Sequence, residues 1–341
     1  MKSNIYRRLF ALILAAASLS VACQSAKPAG TNPTSKVKLC YSFVSGTQLV
    51  AQYAKEKGLF AEYGLDVELT QISRGAKATA ALIAGEVQVC QVAGASAIHA
   101  AAAGEDLVLI GGLYNTHLYS LMVRPEIQSA ADLKGKAVAI SQPGSGSDSA
   151  MRAVLEYMKL TPKMDVTLLM IGSQAERLAA METGQIAGTL VSMPETAKAR
   201  EKGYRELLAL PSINVPYPSG SIVTTRRFLR ENRPAALNLM KALTATIARL
   251  KQDREGAYDV MAKYMKLDRQ AEAAVLAEGY EQLVRNNLPD VPTPTLEGLA
   301  AEIKSLAADN PNAAKLKAED LVDLSLLREL ETSGFFGGLK K

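Results

Sequence analysis

From Val37 to Gly112, short apolar runs alternate with amphipathic stretches at helical spacing. The runs Val37–Phe43, Asp66–Ile72, Val87–Val92 and Leu107–Gly111 predict strands. The stretches Gln48–Lys57, Ala76–Ala84 and Ser96–Ala103 predict helices, and Gly58, Gly85 and Gly104 follow them as stops. Alternation of this kind predicts a parallel sheet covered on both faces. A second series starts at Leu118. It gives strands Leu118–Val123, Ala137–Ile140, Val166–Ile171, Gly188–Val191 and Glu206–Leu210, with helices ending at Met158 and spanning Gln174–Thr183 and Pro194–Lys202. After the Pro-rich stretch Pro211–Ser219 and a strand Ser221–Thr225, the pattern turns helical. Helices are expected over Pro234–Leu250, Glu255–Tyr264, Arg269–Arg285, Thr295–Ala308 and Ala318–Leu330. Leu237, Met240, Leu243, Ile247 and Leu250 form an apolar stripe on the first of these, read as core rather than as a binding face.

The segment Ala137–Met158 carries the most chemistry. A short strand runs into Gln142-Pro143-Gly144-Ser145-Gly146-Ser147-Asp148 and then into a helix. Free N–H groups at a helix start, with serine hydroxyls beside them, suit a small polar or anionic ligand. A nucleotide loop is excluded, because no Lys follows Gly146 and Asp148 would repel phosphates. A dinucleotide fingerprint fails for want of a third glycine. The plain alternative is a turn with a capped helix.

The N-terminus changes the picture of where this happens. Lys2, Arg7 and Arg8 precede an apolar run from Leu9 to Val21, which is too short to span a bilayer and fits a secretory signal. Ser20-Val21-Ala22 lead directly to Cys23. Removing residues 1–22 lowers the net charge from +5 to +2, so the basic balance gives little support to nucleic-acid binding. Residues 23–36 are small and polar, a flexible tether. Cys40 and Cys90 lie in two strand-like runs. Burial as free thiols is favoured, with a disulfide as the alternative. These two cysteines with His99 and His117 make no plausible metal set, and no cofactor motif is present.

Small residues followed by Cys23 resemble a bacterial lipoprotein signal, which implies a lipid anchor at Cys23; Ser20 departs from the usual aliphatic residue, and ordinary cleavage is the alternative. Four further blocks resemble the periplasmic solute-binding proteins of ABC importers, in the group that takes aliphatic sulfonates, taurine, nitrate or thiamine-precursor pyrimidines. They are Ala54-Lys55-Glu56-Lys57-Gly58-Leu59-Phe60 with Gly64-Leu65-Asp66-Val67, then Val92-Ala93-Gly94-Ala95-Ser96, then Ala131-Asp132-Leu133-Lys134-Gly135-Lys136, then Gly184-Gln185-Ile186-Ala187-Gly188. In the last, Ala187-Gly188 replaces the usual Asp-Ala. The resemblance implies an α/β fold of type II periplasmic-binding (Venus-flytrap) architecture with two hinge crossings and C-terminal helices. Lobe one would be 37–117 plus 222–341 and lobe two 118–221, with crossings near Asn115–Tyr119 and Pro216–Ser221. It also implies a monomer outside the cytoplasmic membrane, handing a small-molecule ligand to the transmembrane permease subunits.

In open parallel sheets ligands sit beyond the carboxyl ends of strands. That rule selects Ser45, Gly46, Thr47, Arg74, Gly94, Ala95 and Ser96 from lobe one, and Ser145, Gly146, Ser147, Gly172, Ser173 and Ser192 from lobe two. Asn115, Tyr41 and Tyr114 join them as cleft candidates, and His117 more weakly; His99 is read as structural. For each serine a helix cap is an equal reading. Arg74 would clamp an acid in bidentate fashion, although a solvated surface arginine is the weightier reading. An enzyme on the same fold is the rival function. The pyrimidine-making relatives use a Cys-rich motif that this chain lacks, and no acid–base pair or triad stands out. A ligand-sensing role is the third reading.

Overall fold

In the computed structural model, residues 34–339 are described. The signal segment, Cys23 and most of the tether lie outside them. Ten strands form two five-stranded sheets. The first sheet contains β1 (Ser35–Tyr41), β2 (Leu65–Gln71), β3 (Val89–Val92), β4 (Leu107–Gly112) and β10 (Ser221–Thr225), in the order β2-β1-β3-β10-β4. The second contains β5 (Ser120–Val123), β6 (Lys136–Ile140), β7 (Val166–Met170), β8 (Gly188–Val191) and β9 (Arg205–Ala209), in the order β7-β6-β8-β5-β9.

Helices α1 (Leu49–Glu56), α2 (Gly75–Ile83) and α3 (Gly94–Ala102) connect the strands of the first sheet. Helices α4 (Gly146–Tyr157), α5 (Gln174–Glu182) and α6 (Glu195–Glu201) do so in the second. Gly85 and Gly104 sit at φ of +77° and +95°, where a side chain would be strained, and so end α2 and α3. The C-terminal helices α7 (Arg226–Glu231), α8 (Arg233–Leu250), α9 (Arg254–Met265), α10 (Ala273–Tyr280), α11 (Leu296–Ala307) and α12 (Ser325–Thr332) return to the first sheet. Met240, Leu243, Ile247 and Leu250 on α8 are buried in one core with Leu49, Val50 and Tyr53 of α1 and Val37 of β1. Leu237, the fifth residue of the expected stripe, is only partly buried against it.

Three expectations need correction. First, the sheets are mixed rather than parallel. β10 runs antiparallel to β3 and β4, and β5 runs antiparallel to β8 and β9. Each of these strands is entered straight from the other sheet, without the helical crossover that keeps strands parallel. Second, Cys40 and Cys90 are not free thiols but a disulfide. The parallel register of β1 and β3 sets Cys40 directly beside Cys90, with Cα atoms 4.5 Å apart. Third, two of the expected long helices are interrupted. The span Arg269–Arg285 becomes α10 followed by a π-helical turn, Glu281–Asn286. The span Ala318–Leu330 splits because Val322 pairs with Leu109 of β4, and Asp323 then caps the next helix by accepting from the Ser325 N–H at 2.8 Å.

The chain passes from β4 to β5 through 113–119 and returns through 214–220. These crossings run side by side. Thr116 bridges Pro216, the Tyr217 N–H donates to the Asn115 carbonyl at 3.0 Å, and the Ser219 N–H donates to the Tyr114 carbonyl at 3.0 Å. His117 on one crossing stacks on Tyr217 of the other, with ring centres 3.7 Å apart.

Candidate functional site

The loops at the carboxyl ends of both sheets meet between the sheets. They enclose a cavity lined by Phe43, Thr47 and Ala93 from the first sheet's loops, Gly146 and Ser192 from the second's, and Leu118, Tyr119, Tyr217 and Ser219 from the crossings. Its free volume is about 20 Å³. That is room for roughly one water, so the cleft is closed around it.

The cleft is held shut at several points. The Gly46 N–H donates to the Met193 carbonyl at 3.3 Å, and Met193 is buried among the residues of the first sheet's core. Within the first lobe, a Cβ on Gly46 would lie 2.3 Å from the Leu283 side chain, so a glycine lets this loop pack closely on the C-terminal helices. Ion pairs cross the rim from Arg200 to Glu278 at 2.8 Å and from Arg152 to Asp309 at 3.4 Å. Exposed pairs of this kind contribute about 0–1 kcal/mol each.

Of the residues selected from the sequence, the cavity brings together Thr47, Gly146 and Ser192. The others lie around it. Ser45 caps the turn Gly46–Gln48, its hydroxyl 2.7 Å from that of Thr47. Ser145 caps α4 and exchanges hydrogen bonds with Ser141 at 2.8 Å and Ser147 at 3.0 Å, while the Ser147 hydroxyl accepts from the Ser141 N–H. Asp148 accepts from the Gly144 N–H at 2.8 Å and pairs with Arg152 at 3.2 Å. The Gly/Ser turn is therefore held by its own side chains, and Gly146 is the point where it meets the cavity.

Ser173 caps α5 in a reciprocal box with Glu176, whose carboxyl is lowered first by the Ser173 N–H. Gly172 accepts from Arg177 at 2.7 Å. The Gly94 N–H donates to the Pro218 carbonyl at 2.7 Å, locking α3 to the return crossing. Ala95 is fully buried, and Ser96 packs against Gly75. Asn115 pins the first crossing to the segment before α11, donating to the Thr293 carbonyl at 3.0 Å and accepting from the Thr295 N–H at 3.2 Å. Arg74 is exposed at a φ of +74° and does not line the cavity; its charge acts on Glu176 across the cleft. Tyr41 packs edge-on to Tyr264, and Tyr114 is fully buried.

Tyr119, Tyr217 and Ser219 were legible only as connector residues. The one hint was the aromatic ring in Pro216-Tyr217-Pro218, where a solvent-exposed crossing has no need of one. Burial pushes the hydroxyls of both Tyr119 and Tyr217 up, so both are neutral donors and acceptors. His117 is 1% exposed, and burial pushes its ring down to about 3, so it is uncharged. Among the described residues no group of His, Cys, Asp or Glu is arranged to hold a metal.

Two mixed α/β lobes, joined by paired crossings and closing on a cavity between them, define the type II periplasmic-binding-protein fold. The chain belongs to the NMT1/THI5-like family, whose model matches residues 49–257. A Brucella abortus protein named as a binding protein is 25% identical over 230 residues, covering 66% of this chain and 69% of that one. The alkanesulfonate-binding protein SsuA of Xanthomonas axonopodis, bound to MOPS, superposes with a TM-score of 0.69 at 20% identity, covering 85% of this chain and 98% of that one. The nitrate-binding protein NrtA of Synechocystis gives 0.68 at 15% identity, covering 88% and 89%. At these identities the two structures share the fold.

Proposed function

We propose that this protein is the extracytoplasmic substrate-binding component of an ABC importer, taking a small polar or anionic organic solute between its lobes and delivering it to the permease. The observation that carries the proposal is the cavity itself, built from the carboxyl ends of two sheets and from both crossings. Lobe one comprises 37–117 and 222–341, lobe two comprises 118–221, and the stacked His117–Tyr217 pair lies in the hinge between them. Thr47, Gly146 and Ser192 contact the solute, with Tyr119 and Tyr217 beside them. Ser45, Ser96, Ser145, Ser147 and Ser173 hold the loops in place. The lining offers hydroxyls, aromatic rings and backbone groups and includes no carboxylate, cysteine or histidine, which favours recognition over catalysis. The disulfide suits an oxidising compartment.

A thermal-shift screen against sulfonates, nitrate, pyrimidines, aromatic acids and amino acids is expected to give a hit. A ligand at 100 times its dissociation constant adds about 2.7 kcal/mol to the folded state. A folded protein that answers to nothing in a broad library would overturn the receptor reading. Cys23 lies outside the described residues, and its lipidation is part of the same proposal. Cys23→Ser is expected to abolish acyl labelling and release the protein from membranes; unchanged attachment would exclude the anchor.

A further inference from the structure

We infer, on the receptor reading above, that Gln174 is a positioning residue for the ligand: its carboxamide holds Ser192 so that the Ser192 hydroxyl meets the solute as a hydrogen-bond donor. Ser192 follows β8, is 6% exposed and lines the cavity. Gln174 opens α5 and stands behind it, outside the lining. Two hydrogen bonds join them. The Ser192 N–H donates to Oε1 of Gln174 at 2.7 Å, and Nε2 of Gln174 donates to the Ser192 hydroxyl oxygen at 3.1 Å.

The first bond settles the direction of the second. A backbone N–H can only donate, so the oxygen end of the carboxamide must face it. The nitrogen end then faces the hydroxyl, and it has only hydrogens to offer. Ser192 Oγ therefore accepts from Gln174 and keeps its own hydrogen. No acceptor among the described residues takes that hydrogen. Ser192 is almost wholly buried, so the hydrogen is left for whatever fills the cavity.

The clamp is braced from behind. Ser173 and Glu176 close the capping box around the first turn of α5, the Ser173 N–H donating to the Glu176 carboxylate at 2.6 Å. Arg177 ties the same helix to β8, donating to the Thr189 hydroxyl at 2.9 Å and the Leu190 carbonyl at 3.0 Å. Gln174 and Ser192 thus belong to one rigid unit, and the carboxamide cannot turn over without forfeiting the Ser192 N–H bond. Gly146 adds donors of the same sense, because it opens α4, whose first N–H groups have no acceptor within the helix. The solute atom at Ser192 is therefore an acceptor. An N–H group placed there would face another hydrogen.

The test uses the exported protein and two sets of probes matched in shape. Acetate, acetamide and acetamidinium form one set, nitrate and guanidinium the other. In thermal unfolding, the member that only accepts hydrogen bonds is expected to raise the midpoint most. Where neither set binds, the tightest hit of the wider screen serves as the probe. Ser192→Ala is expected to weaken the probe roughly tenfold or more. Gln174→Glu keeps an acceptor for the Ser192 N–H but has no hydrogen to give. The hydroxyl then donates to the new carboxylate instead of the solute, and the same loss is expected. The double variant separates the explanations. If Gln174 acts through Ser192, Gln174→Glu adds little to the loss already caused by Ser192→Ala. A general structural role, or direct repulsion by the new carboxylate, would add its full loss in that background and would overturn the inference. So would undiminished affinity in Gln174→Glu, or a donor-only probe that binds best. Each of these outcomes leaves the receptor reading standing. Should Gln174→Glu not fold, Gln174→Met, which adds no charge, takes its place with the same expectation. Silence from every compound would remove both readings.

Discussion

Replacing Cys40 and Cys90 together by alanine is expected to lower the unfolding free energy by roughly 4 kcal/mol. The disulfide closes a loop of 50 residues, and the loss of that constraint frees the unfolded chain. Both cysteines are fully buried beside Ala78, Leu82 and Val92, so the truncation also leaves a small unfilled space. The bond has a position as well as an energy. It fixes β1, which leads into Ser45–Thr47, to β3, which leads into Ala93 and Gly94. Guanidinium unfolding at constant slope measures the effect, and a fall of less than about 1 kcal/mol would show that the link adds little. The double variant is also expected to bind ligand less well at temperatures where it is still folded, because Thr47 and Ala93 line the cavity from loops that the bond holds together.

How far the sequence revealed this molecule depended on whether a feature is local. The order of strands and helices was legible because apolar runs, caps and stops lie within a few residues of one another; Gly85 and Gly104 stop helices wherever they are placed in space. Strand direction was not legible at β5 and β10. What sets it is the pair of crossings, and those carry no periodicity. The disulfide, against the favoured free thiols, is not legible for a related reason, since two cysteines in two strands meet only if the strands are neighbours in the right register. The serine-rich loops were found, yet most of their hydroxyls are engaged within the loops, as Ser145, Ser147 and Ser173 are. A cap and a ligand contact need the same residue types, so composition could not separate them. Tyr119 and Tyr217 were missed as lining residues because a connector in the sequence became a wall of the site in the fold.

Between pH 6.5 and pH 5 the protein is expected to lose about 2 kcal/mol of stability through His117. Burial holds this ring neutral in the fold, with its protonation pushed down to about 3, while in the unfolded chain it takes up a proton near pH 6.5. The unfolded state therefore binds more protons across this window. The stabilisation is fully present above the unfolded value and falls by about 1.4 kcal/mol per pH unit below it. His99 shifts in the same direction by burial, opposed in part by Asp148, and it is the only other histidine of the chain. Glu302 acts with the opposite sign, because burial raises its carboxyl and so favours the fold at low pH. A comparison with His117→Phe cancels both, since the variant keeps His99 and Glu302. Phenylalanine also keeps a ring to stack on Tyr217, and the unpartnered Nδ1 of His117 forfeits no hydrogen bond. Urea unfolding at pH 7, 6 and 5 should show the variant losing less stability than the wild type on acidification. Parallel pH curves for the two proteins would mean that His117 titrates in the fold as it does in the unfolded chain, and that the hinge stack is open to water.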